Sequence, residues 1–156
     1  MPGPHEVFHR LVDGVCKLVA GDASQVDALA ALYAERTRVE HPMAVPALEP
    51  LLSREDLRRH FGGPRPPFSD YRATDVVIHD TADPEVIVAE FCYRGSVDGR
   101  RFVVPCVFVM RVRDSEIVES RDYINALDRD RALSEGATPT HDQEGEVAAL
   151  ATTSPS

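Results

Sequence analysis

Three side chains in this sequence have the type and setting to move protons. His41 ends a short β-like segment over residues 36–41 that Pro42 closes. An imidazole, with an unperturbed pKa of about 6.5, suits proton transfer at neutral pH. Asp122 sits in Arg121-Asp122-Tyr123 at the end of the last strand-like stretch. A carboxyl group pointing into an apolar pocket has its pKa raised by desolvation, so it can hold or accept a proton as a reaction requires. Glu90 interrupts the apolar run from Val86 to Phe91, and strand alternation puts it on the face of Val88 and Cys92. A carboxylate among such neighbours needs a partner. Each residue also has a structural reading: His41 bonded to the loop before Pro42, Asp122 paired with Arg121 or Arg94, and Glu90 at a sheet edge or interface.

Other chemistries have little footing. The cysteines Cys16, Cys92 and Cys106 are odd in number and far apart, which supports neither a disulfide framework nor a zinc site. His5 and His9 have metal-ligand spacing but no third ligand nearby, so no metal and no cofactor is expected. Lys17 is the sole lysine and lies on a helix pattern, a poor place for a Schiff base. There is no Gly-rich phosphate loop, no Ser-His-Asp motif and no basic stripe. With 17 Lys and Arg against 26 Asp and Glu, the net charge of -9 argues against nucleic acid and anionic membranes as partners. No apolar run is long enough to span a bilayer and the N-terminus lacks a signal-like apolar region, so a cytoplasmic location is expected.

The elements that must position these groups follow from periodicity. Val7, Phe8, Leu11, Val12, Val15 and Val19 recur at helical spacing, and Gly21-Asp22 breaks the pattern. Ser24 is placed to cap a second helix carrying Val26, Leu29, Ala30 and Tyr33. A Pro-rich loop follows His41. Ser53 then heads a short helix with Leu57 and Phe61, with acids in its first turn and His60 at its C-terminal end. Strands are expected at 76–78, 86–94, 101–113 and 116–123, with Asp98-Gly99 as a hairpin turn. Helices first and a meander of strands after is an α+β pattern. The last stretch, 126–156, reads as an acidic tail, largely disordered, appended to a domain of residues 1–125. That tail and Asn125 hold 6 acids and 2 bases, nearly half of the net charge.

Three stretches together resemble the SnoaL-like polyketide cyclases and ketosteroid isomerases of the nuclear-transport-factor-2-like superfamily. Ala34-Glu35-Arg36-Thr37-Arg38-Val39-Glu40-His41-Pro42 looks like the isomerases' Ala-Asp-Asp-Ala-Thr-Val-Glu-Asp-Pro. Gly99-Arg100-Arg101-Phe102 followed by Val109-Met110-Arg111-Val112 looks like the paired central strands. Ile117-Val118-Glu119-Ser120-Arg121-Asp122-Tyr123 looks like the cyclases' closing strand. The resemblance spans about residues 5–125. It implies a cone-shaped α+β barrel, with N-terminal helices packed on a strongly curved, mostly antiparallel sheet that encloses a pocket. It also implies a homodimer.

For function, the resemblance implies a cofactor-independent enzyme that cyclises or isomerises a small apolar, carbonyl-bearing molecule of polyketide or terpenoid type. His41 stands where the isomerases place their catalytic aspartate, and Asp122 where the cyclases place their general acid/base. Phe108, Phe102 and Met110 would form an apolar wall, with Tyr33 and Tyr123 nearest the matched motifs. The isomerases' oxyanion donors are missing, because their tyrosine aligns near Gly14 and their aspartate on Phe108. Two other readings stand beside this one. An epoxide hydrolase of the limonene-epoxide-hydrolase-like type would use Asp122 and Glu90, although the arginine two residues before that second carboxylate is Val88 here. A non-catalytic binding module is the other.

Overall fold

The computed structural model describes residues 1–136; the remainder of the sequence-predicted tail, 137–156, lies outside the described residues. Helix α1 spans Pro4–Val19 and buries Val7, Phe8, Leu11, Val12 and Leu18 along one face, as the helical spacing requires. Pro4 is tolerated in its first turn because the amide it lacks would have no helical partner there. Helix α2 is shorter than expected, Gln25–Ala30. Ser24 does not cap it; the Asp22 carboxylate instead accepts from the Ser24 amide and hydroxyl and from the Gln25 side chain. Tyr33 is therefore not on that helix but opens strand β1, Tyr33–Glu40.

The Pro-rich loop contains a short strand, β2, Leu51–Ser53, that leads directly into α3, Arg54–Phe61. Ser53 caps α3 as its sequence suggests. Its hydroxyl accepts from the Asp56 amide at 3.0 Å, while the Asp56 carboxylate accepts from the Leu52 amide at 2.9 Å. Such reciprocal caps fix the entry to a helix. Ser53→Ala is expected to lower stability by about 1 kcal/mol, read from the urea midpoint.

Four long strands follow: β3 Ser69–Asp80, β4 Val86–Val97, β5 Arg100–Arg113 and β6 Glu116–Ile124. Asp98 and Gly99 take φ of 49° and 77°, the left-handed pair that joins β4 to β5 in a two-residue hairpin. Asp114 and Ser115 do the same between β5 and β6. The strand expected at 76–78 grows to twelve residues because it bulges rather than stops. Its register with β4 shifts twice, and Asp70 and Asp75 have positive φ. Bulges bend a strand and tighten its twist.

The sheet order is β2-β1-β6-β5-β4-β3. All neighbours are antiparallel except β1 and β6, which run parallel. The sheet is curved and unclosed, and α1 lies against its inner face. Phe8 meets the rings of Phe91 and Phe108 edge-on at centroid distances of 5.2 and 6.4 Å. Inward-facing residues of β4 and β5, from Ile87 to Val97 and from Phe102 to Val112, complete the core.

The fold does not end at residue 125. Helix α4, Leu127–Glu135, packs back on β5 and buries Ala132. The Asp128 carboxylate accepts from the Val103 amide at 2.8 Å, and Arg100 donates to the Ala132 carbonyl at 2.7 Å. These two bonds tie the first and second turns of the helix to one strand. Among the described residues no helix is long and apolar enough to cross a membrane.

Candidate active site

The parallel β1–β6 pairing brings His41 and Asp122 together. Glu40 is in register with Arg121, so the next residue of each strand falls side by side. The His41 Nε2 to Asp122 Oδ2 distance is 3.8 Å, and both side chains are almost wholly buried. Both Ser120 and Asp122 face inward on β6, and the Ser120 hydroxyl donates to Asp122 Oδ1 at 2.5 Å. From the other side, His60 at the end of α3 stacks on His41, with ring centroids 5.3 Å apart and planes 30° apart. His41 Nδ1 is buried without a hydrogen-bond partner.

This cluster forms a neck between two hollows. The inner cavity, about 310 Å³, lies between α1, α3 and the sheet. Its wall is largely apolar, with Leu11, Val15, Leu57, Val104 and Phe108, and the rings of Tyr33, Tyr71 and Tyr93 also line it. The outer hollow, about 610 Å³, lies between the loop after β1 (Met43 to Leu48) and the start of α4. His41, His60, Asp122, Ile124 and Arg129 line both.

Burial sets the protonation of the neck. Desolvation pushes the Asp122 carboxyl up to about 7, against the opposing effect of the Ser120 hydrogen bond. Desolvation drives His41 down to about 4, with His60 as a second, electrostatic cause. His60 is also lowered by burial. The Tyr33 phenol is held well above its ordinary range, first by burial and then by the charge of Asp122. Taken as a unit, the His41–Asp122 pair holds one proton between about pH 4 and about pH 7.

The expected site residues divide by sheet face. His41, Asp122, Tyr33 and Phe108 line the inner cavity. Phe102 and Met110 are buried on the same face but stand behind the wall; Phe102 packs on Phe68 at 4.9 Å. Glu90 is not in the site. It shares a face with Val88 and Cys92, as alternation requires, but that face is the outer one, where Glu90 pairs with His79 at 2.6 Å. Tyr123, adjacent to Asp122, likewise points outward, beside Cys92 and Val107 in a shallow depression that Glu90 also borders. Gly14 is a packing contact: a Cβ there would stand 2.6 Å from Leu29 Cδ2, so α1 and α2 approach too closely for a tyrosine at that position.

Three site residues were not singled out from sequence. His60 lies at the helix end, as its sequence position implies, but the ring turns inward onto His41. Ser120 could have been found from alternation, since it is two residues before Asp122. Arg129 fell within the stretch read as tail. Among the described residues no cluster of three or more His, Cys, Asp or Glu is arranged to hold a metal ion.

This fold belongs to a known class. The SnoaL-like domain family matches residues 12–120, more than half of the chain, and the protein belongs to that family. It is 38% identical over 64 residues to an uncharacterised PhzA/B-like protein of Pseudomonas aeruginosa, a match covering 40% of this chain and 45% of that relative's length. A Bacillus subtilis structure provisionally named an isomerase has the same fold, with a TM-score of 0.69 at 21% identity over 85% of this chain and 93% of that one. A Pseudomonas putida structure provisionally named a polyketide cyclase superposes with a TM-score of 0.60 at 16% identity, covering 85% and 98% of the two chains.

Proposed function

We propose that this protein catalyses cofactor-independent proton transfer on a small, mostly apolar, carbonyl-bearing molecule, leading to isomerisation or intramolecular cyclisation. The observation that carries the reading is the His41–Asp122 pair, 3.8 Å apart and buried at the neck of an apolar cavity. One group can take a proton from a carbon beside the carbonyl while the other returns one elsewhere on the same molecule. Their 3.8 Å separation lets both reach a substrate lying alongside. The apolar wall excludes water and holds the substrate folded against the pair. Polyketide-like and terpenoid-like molecules fit this description. The epoxide-hydrolase reading loses its second carboxylate, because Glu90 faces away from the cavity.

The test uses 2-tetralone, a bicyclic ketone, and follows replacement of its α-protons in D₂O by NMR. The protein should accelerate exchange over buffer. The rate should follow a bell-shaped pH profile with limbs at about 4 and about 7, the range over which the pair holds one proton. Ser120→Ala removes the hydrogen bond that opposes the rise in the Asp122 pKa, so it should move the alkaline limb to higher pH. No acceleration at any pH would leave a non-catalytic binding module.

A further inference from the structure

The neck holds one group that proton transfer does not use. Arg129 projects from α4 into the boundary of both hollows, and its side chain is about two-thirds buried, 31% exposed. A guanidinium keeps its charge at any working pH, and a charge removed from water needs a counter-charge. Among the described residues its ion pair is with Asp130, its neighbour in sequence. Adjacent residues on a helix do not face each other. Both contacts are accordingly long, 3.5 Å from Nε and from Nη2 to the same Oδ1. Well-made guanidinium–carboxylate bonds are about 2.7–2.9 Å and use the two-pronged edge.

The rest of the neck offers Arg129 little negative charge. Burial disfavours a charge on His41 and His60, and Asp122 keeps its proton below about pH 7. Arg65, exposed at the rim of the inner cavity, adds a second positive charge and donates to the Phe61 and Gly63 carbonyls. Asp130 borders only the outer hollow. A chain with a net charge of -9 thus places two guanidinium groups on the lining of an apolar cavity. The helix that carries Arg129 is held to β5 through Asp128 and the Ala132 carbonyl, so the guanidinium is supported by a fixed element.

From this placement we propose that the molecule accepted by the cavity carries a carboxylate, held at the neck by Arg129 while its apolar body fills the inner hollow. The proposal rests on the proposed function for what happens after binding, but it is tested on binding alone.

The probes are 2-naphthoate and 2-naphthamide, titrated calorimetrically into the full-length protein at pH 6, where Asp122 keeps its proton and the naphthoate is ionised. They share one apolar body and differ in charge. The wild type should bind the carboxylate about tenfold more tightly than the amide, the scale of a charge-assisted bond. Arg129→Met should erase that preference while 2-naphthamide is still bound, which also shows that the cavity is intact. Arg129→Lys should retain part of it, and Arg65→Met most of it. Equal binding of both probes by the wild type, or binding of neither, would overturn the proposal. So would a preference that survives Arg129→Met or vanishes in Arg65→Met. Exchange of 2-tetralone, which carries no charge, reports on the pair alone, so failure of either test is read separately from the other.

Discussion

Asp122→Asn should slow α-proton exchange of 2-tetralone by about 10²- to 10⁴-fold, the contribution usual for a positioned general acid or base. The size of the effect follows from what the substitution keeps. At pH 6 the folded protein holds Asp122 largely as the neutral acid, because burial lifts its pKa to about 7. Asparagine matches that form in shape and charge, and Ser120 can still bond to its side chain. The core around β6 therefore has no cause to rearrange, and KM for 2-tetralone should change little while kcat falls. A purely structural Asp122 would give the opposite split: an altered KM or loss of fold, with kcat retained in whatever folds. An Asp122→Asn protein that exchanges 2-tetralone at the wild-type rate removes this residue from the chemistry. His41→Asn should reduce kcat as well, since the one-proton state needs both members.

How much of this site could be read from the residues depended on which face of the sheet was at issue. His41 and Asp122 were legible because each stands at the end of a strand in a recognisable motif. The parallel register that brings them together is a tertiary fact. Glu90 and Tyr123 were misplaced for one reason. Alternation tells which residues share a face, but not which face turns inward when both carry apolar side chains. On β4 the outer face holds Val86, Val88 and Cys92 around Glu90, so over that stretch both faces carry apolar side chains. His60 was hidden because a helix end is a sufficient explanation for a histidine. Arg129 was hidden by composition: acids and small residues masked a nine-residue helix whose burial is confined largely to Ala132. Local propensity was weak there, and packing on β5 decided the outcome. The meander itself was plain from its turns, although the bulges at Asp70 and Asp75 that lengthen and bend β3 carry no glycine to announce them.

The buried pair also has a signature in stability, expected to amount to several kcal/mol. Folded, the pair binds one proton between about pH 4 and about pH 7; unfolded, with Asp near 3.8 and His near 6.5, it binds one proton over nearly the same range. Stability changes with pH only where the two states bind different numbers of protons, so the contributions of the pair cancel in the wild type. Single substitutions remove the cancellation, in opposite directions. The raised pKa of Asp122 stabilises the fold at low pH, and that stability is lost as pH rises from about 3.8 to about 7. Removing it with Asp122→Asn should therefore make the variant gain on the wild type by about 1.4 kcal/mol per pH unit, about 4 kcal/mol across that range. The depressed pKa of His41 acts the other way, destabilising the fold as pH falls from about 6.5 to about 4. His41→Asn should thus gain on the wild type toward acid, by about 3 kcal/mol in total. Differences from the wild type remove the exposed carboxylates and His60, which are common to all three proteins. The chain has no tryptophan, so urea unfolding between pH 4 and pH 8 is best followed by circular dichroism. Two difference curves of opposite slope are the expected result. Flat curves would mean that burial has not displaced these two pKa values, and would take away the physical basis for a pair that holds one proton at the neck.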